Sequence, residues 1–136
     1  MPASGWCCTR LKNARGSSLV QAAHTGNAVI FGHGAQFILA QLPGVLHVRF
    51  IAPLLVRIER VMHRGGLSRA EAERRVRDED QRRANGIRQF YQADWYALDP
   101  FHLILNTALW DEEACIRLVL GAVEERTRQP HGDGGA

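Results

Sequence analysis

The sequence predicts an α/β domain: a small parallel sheet of about three strands with flanking helices. Two observations carry this reading. Short apolar, β-branched runs alternate with helical stretches, the order that parallel strands joined by helices produce. An arginine-rich helical segment of roughly thirty residues then interrupts that alternation before the last strand.

A chain of 136 residues with 46% hydrophobic content is one domain by length and supports a modest core. Its net charge of +3 suits anionic partners without requiring nucleic acid. The longest apolar runs are about six residues, far short of the roughly twenty that span a bilayer. The N-terminus lacks the apolar stretch of a signal peptide, so a cytoplasmic location is expected by default. Cys7, Cys8 and Cys115 form no disulfide framework, and no histidine or second cysteine pair stands at zinc-site spacing. No metal site is expected.

Residues 1–18 carry glycine, serine and basic residues with little apolar periodicity, and are expected to be mostly disordered. Ser17 or Ser18 is a natural cap for a short helix, Leu19 to His24, ending at Gly26. Asn27 to Phe31 reads as a strand, Gly32-His33-Gly34 as a turn and Ala35 to Leu42 as a helix stopped by Pro43-Gly44. Such a turn presents backbone N–H groups to an anion, making His33 and Gly34 candidate binding residues; the plainer alternative is a tight strand-to-helix turn. Val45 to Ile51 alternates as a second strand. Pro53 opens the next helix, with Leu54, Ile58, Val61 and Met62 inward and Arg57, Arg60 and Arg64 largely solvated. Phe101 to Asn106 is the third strand. A last helix, Asp111 to about Glu125, turns Cys115, Leu118, Val119, Ala122 and Val123 inward, and a tail from 128 to 136 is expected to lack structure.

The chain is organised around Arg57 to Trp95. Ten of its sixteen arginines fall between Arg57 and Arg88, against six acids. Ser68 with Glu71 is a capping box, so a long helix starts there and runs to about Tyr91, with a possible bend at Asn85-Gly86. At 100° per residue, Ala72, Val76, Asp80, Arg83, Ile87 and Phe90 share one stripe. Two ions on an inward stripe need partners. Either Asp80 and Arg83 bridge each other, or the stripe is shallow enough to stay wet, or it lines a cleft that holds arginine for an anionic ligand. Phe90, Tyr91, Trp95 and Tyr96 cluster beyond, more in the manner of a core anchor than a base-stacking platform.

Asp80-x-x-Arg83, Arg88-Gln-Phe-Tyr91 and Asp94-Trp95, with Asn27-Ala-Val-Ile-Phe-Gly-His-Gly-Ala35 upstream and Leu105-Asn-Thr107 downstream, resemble the cytidylate kinase-like family of P-loop nucleoside monophosphate kinases. The resemblance spans roughly Leu19 to Glu125 and the C-terminal part of such a kinase. It implies a partial kinase domain over about 19–127, with a lid near 64–95 closing over phosphates. Arg83 and Arg88 become candidate catalytic contacts oriented by Asp80, with Arg64 a substrate contact. The implied ligands are CMP or dCMP and ATP with Mg²⁺. The family usually carries an arginine where this chain has His33, which weakens phosphate binding there.

No G-x-x-x-x-G-K-[ST] loop occurs in the 136 residues, and Lys12 is the only lysine. That loop holds the β/γ-phosphates in kinases of this kind. The expectation is therefore a truncated or decayed kinase, inactive by itself. In the family's fold the strand leading into that loop lies between those matching Asn27–Phe31 and Val45–Ile51, so the chain is expected to pack loosely or self-associate through open strand edges. The alternative is a non-catalytic arginine-rich module that binds nucleotide, RNA or a protein partner, and a third reading is a structural remnant with no ligand.

Overall fold

A computed structural model describes residues 7–9, 16–32 and 34–129. The chain divides into two compact units, Met1–Val45 and Leu46–Ala136.

In the first unit, strand β1 (Cys7–Thr9) and helix α1 (Gly16–Thr25) precede strand β2 (Ala28–Ile30) and the single-turn helix α2 (Ala35–Ile38). β1 pairs with β2 in parallel, Cys7 opposite Ala28 and Thr9 opposite Ile30. β1 and the first turn of α1 lie inside the stretch 1–18 for which composition suggests no structure; its remaining residues, and 130–136, fall outside the described ones. Pairing explains the difference, since three residues suffice to satisfy backbone groups once a neighbouring strand is available. α2 ends at Ile38 rather than Leu42. Leu39, 2% exposed, is the deepest side chain among the described residues of this unit.

The second unit opens with strand β3 (Val48–Ile51) and continues through helices α3 (Leu54–Gly65) and α4 (Arg69–Tyr91) to strand β4 (Leu103–Asn106) and helix α5 (Glu112–Arg128). β3 and β4 are parallel, Val48 opposite Leu103 and Ile51 opposite Asn106. The expected sheet of about three strands is thus corrected to two parallel pairs among the described residues. The parallel order and the alternation with helices hold.

α3 and α4 form a helical hairpin around Ile58, Ala72 and Val76, flanked by Leu54, Val61, Met62 and Leu67. The turn needs Gly66: its φ of 59° is left-handed, and its N–H caps α3 on the Met62 carbonyl. The capping box forms as expected, Ser68 Oγ accepting from the Glu71 N–H while the Glu71 carboxylate accepts from the Ser68 N–H. α4 then runs unbroken through Asn85-Gly86. Its stripe is the shallow one among the alternatives. Ala72, Val76 and Ile87 are buried, Asp80 and Arg83 half-buried, and Phe90 is 76% exposed. On α5, Asp111 caps the first turn through the Ala114 N–H, and Cys115 is buried, but Leu118 is exposed rather than inward.

The β3–β4 pair starts at two histidines. The His47 N–H donates to His102 Nδ1 at 2.9 Å, the His102 N–H donates to the His47 carbonyl at 2.9 Å, and the two rings stack 5.3 Å apart. Nδ1 must be unprotonated to accept. Burial, reinforced by the positive charge of Arg126, lowers the His102 pKa from its ordinary value. The unfolded chain therefore binds the proton more readily, so this contribution to stability is complete above about pH 6.5 and is lost as the pH falls below it. The melting temperature is expected to drop between pH 7.5 and pH 5. His102→Asn, which puts a non-titrating oxygen near the position of Nδ1, should flatten that slope; an identical slope in the variant would contradict the assignment.

Candidate functional site

Guanidinium groups dominate the second unit, and packing sorts them into those the fold uses and those it leaves for solvent or a ligand. Arg49, on β3, belongs to the fold. Its Nη1 donates to the carbonyls of Trp95 at 2.7 Å and Ala97 at 3.3 Å, and its Cζ stands 4.6 Å from the Trp95 ring centroid and 5.2 Å from that of Phe101. The cation is clasped by two aromatic faces, an arrangement that fixes the segment after α4 to the strand. Burial lowers the Arg49 pKa, opposed by the charges of Asp94 and Tyr96. Trp95 is an anchor as expected of that aromatic group, whereas Phe90 is not.

Arg57 and Arg60 also belong to the fold, which corrects the expectation that they are largely solvated. Arg57 Nη1 donates to Asp80 Oδ1 at 2.7 Å, tying α3 to α4. The hydrogen bond to Asp80 raises the Arg57 pKa. Arg60 reaches across to β4, donating to Thr107 Oγ1 at 2.7 Å and to the Thr107 carbonyl at 2.6 Å. Thr107 in turn donates through its N–H to the Ile51 carbonyl at 2.8 Å, so one side chain fastens α3 to the ends of both strands.

The residues the sequence singles out are placed as follows. Asp80 bonds Arg57, so neither the internal Asp80–Arg83 bridge nor an Asp80 contact to Arg88 is present. The reason is geometric: Arg57 approaches Asp80 from the facing helix, while Glu79 takes Arg83 Nε at 2.9 Å on α4 itself and holds Arg82 with its other oxygen at 2.7 Å. Arg83 and Arg88 are five residues apart, about 140° around the helix axis. Arg88 is exposed and lines a small cavity of ≈ 220 Å³ with Gln92, Asp94, Trp95 and Tyr96. Arg64 lies in the last turn of α3, exposed, on a different cavity. The three arginines therefore stand at separate places. Gly34 lies in the first unit with φ 96°, and its N–H donates to Gln36 Oε1 at 3.2 Å; this amide is occupied by the chain's own side chain, which fits a tight turn. His33 lies outside the described residues.

The larger cavity, ≈ 600 Å³, opens at the C-terminal ends of β3 and β4. Arg60, Arg64, Thr107, Trp110 and Glu112 line it, and Phe50 with Cys115, Ile116 and Leu120 supply apolar surface. In open α/β sheets, ligands bind beyond the carboxyl ends of the strands. Trp110 is a functional candidate that the sequence does not single out; the available signal was its position, three residues after Thr107. Among the described residues no group of three or more His, Cys, Asp or Glu is placed to hold a metal ion. No helix is long and apolar enough to cross a membrane.

Residues 9–109 match the model of the cytidylate kinase-like family. The chain belongs to that family. It is 31% identical over 117 residues to the cytidylate kinase of Pyrococcus horikoshii, covering 86% of this chain and 59% of that protein. With the cytidylate kinase of Methanopyrus kandleri it shares 30% over 112 residues, 76% of this chain and 58% of the other. A stretch of 98 residues, 72% of the chain, is also 34% identical to 19% of a Corynebacterium glutamicum protein named uronate isomerase. The family member thus spans about three fifths of the cytidylate kinases it matches. A crystal structure of a protein from Eubacterium ventriosum superposes with a TM-score of 0.71 at 14% identity, over 79% of this chain and 60% of that one, a likeness of fold.

The half-buried Arg57–Asp80 pair joins the two helices of the hairpin, so it is expected to contribute more than an exposed ion pair, about 1–2 kcal/mol of coupling. A double-mutant cycle with Arg57→Ala and Asp80→Ala, read by urea unfolding, measures it. Additive single effects would show that the bridge contributes nothing.

Proposed function

We propose that this chain is a nucleotide-binding part of a cytidylate kinase-like protein. In this reading the nucleotide lies in the groove at the C-terminal ends of β3 and β4, with Arg64 toward its phosphates. The single observation that carries the reading is that Arg64, which forms no ion pair among the described residues, lines that groove together with Trp110 and Glu112. A planar guanidinium suits phosphate oxygens, and an aromatic ring suits a base. Arg83 and Arg88 act from the lid helix, Arg83 keeping its terminal nitrogens for phosphate while Glu79 holds Nε. Asp80 acts only through Arg57, by fixing α4 against α3.

The complete family reaction would move the γ-phosphoryl group of ATP to CMP or dCMP. Its donor phosphates need a Walker-type cradle, and no such loop occurs in these 136 residues. Binding without turnover is the expected behaviour of this chain. The rival reading, an RNA-binding arginine helix, is disfavoured because Glu73 and Glu79 already pair with Arg77, Arg82 and Arg83 along α4.

Calorimetric titration of the 136-residue chain with CMP, dCMP and ATP should give saturable binding with no ADP release in a coupled assay. A charge-assisted contact to phosphate contributes about 1.5–3 kcal/mol, so Arg64→Ala should weaken binding about tenfold or more. Unchanged affinity in Arg64→Ala would remove the groove from the reading, and unchanged affinity in Arg83→Ala/Arg88→Ala would remove the lid. Turnover would show that donor phosphates are held without a Walker lysine.

A further inference from the structure

The ≈ 600 Å³ groove holds charges of both signs that do not meet. Arg60, Arg64 and Glu112 all line it. Arg60 is drawn onto Thr107, while the side chains of Arg64 and Glu112 form no ion pair or hydrogen bond among the described residues. Two free and opposite charges on one lining would close on each other if they were within reach. Here the groove keeps them apart, which leaves room for a ligand that is anionic at one end and a hydrogen-bond donor at the other.

Glu112 is the acid that the fold does not otherwise employ. An acid in the first turn of a helix suits its dipole, but α5 begins with three consecutive acids. Asp111 caps the turn through the Ala114 N–H, and Glu113, 3.7 Å from Arg117, does not line the groove. Glu112 alone of the three does, and it is the only acid on that lining. A carboxylate there repels the phosphates that Arg64 attracts, so it lowers affinity unless another part of the ligand uses it. An ionised carboxylate only accepts hydrogen bonds, so that part must carry N–H groups. Trp110 supplies an aromatic surface on the same lining, suited to the ring that would bear them.

We infer that Glu112 sets the base specificity of the groove, accepting a hydrogen bond from the exocyclic amino group of cytosine or adenine. Uracil and hypoxanthine present a carbonyl oxygen in place of that amino group, which would set lone pairs against the carboxylate. The inference rests on the nucleotide reading of this groove and adds which bases the groove takes.

The test is calorimetric titration of the full 136-residue chain with two matched pairs, CMP with UMP and AMP with IMP. The members of each pair share sugar and phosphate and differ in amino against oxo. In at least one pair the amino member should bind about tenfold or more tighter, and that pair identifies the base. Glu112 is exposed, so Glu112→Gln leaves packing intact. Its amide both accepts and donates, and should bring the ratio within the pair to about one. Glu113→Gln removes the same charge from the same turn but off the groove, and should preserve the ratio. Arg64→Ala should weaken both members alike. A ratio near one in the unaltered chain, a ratio that Glu112→Gln preserves, or one that Glu113→Gln also abolishes would overturn the inference, while binding that depends on Arg64 would keep the groove reading. Absence of saturable binding by all four nucleotides would overturn both.

Discussion

The second unit depends on the contact between α3 and α4. α4 is 23 residues long and overwhelmingly polar, and it buries only Ala72, Val76 and Ile87. Ile58, 1% exposed, fills the space between the helices and meets Ala72, where a larger side chain would push them apart. With so narrow an apolar seam, the Arg57–Asp80 bridge carries a share of the alignment that a broader core would make unnecessary. Everything on α4, including the position of its free arginines, follows from that seam.

Arginine has three uses in this unit, and position decides which. Where a guanidinium meets backbone carbonyls and aromatic faces, as Arg49 does, it becomes a structural clamp. Where it reaches a carboxylate or hydroxyl on a neighbouring element, as Arg57 and Arg60 do, it ties helix to helix or helix to strand. Arg64 and Arg88 have neither, and both stand on cavities. Arg60 and Arg64, one turn apart on α3, show the contrast: the first bonds Thr107, and the second forms no ion pair among the described residues.

The groove at the ends of β3 and β4 joins two features. Its polar rim lies beyond the carboxyl ends of parallel strands, where α/β proteins bind ligands. Its floor is an apolar row of α5 that a compact domain would cover.

Local chemistry determined much of this by sequence alone. The Ser68–Glu71 box fixes the start of α4, Pro53 and Gly66 bound α3, Asp111 caps α5, and the order of Asp80, Arg83, Arg88 and Asn106-Thr107 was enough to indicate the family. These are interactions within a few residues, or spacings along one chain, and so they are written in the sequence. Tertiary structure alone decided which charges meet. Asp80 was legible as an inward acid in need of a partner, but its partner lies 23 residues away on the facing helix, and helical periodicity offers only neighbours three or four residues off. The pairing of Cys7–Thr9 with β2, the clasp of Arg49 by Trp95 and Phe101, and the His47–His102 junction likewise join segments distant in sequence. A partner across space leaves no periodic mark, so only the folded chain could name it.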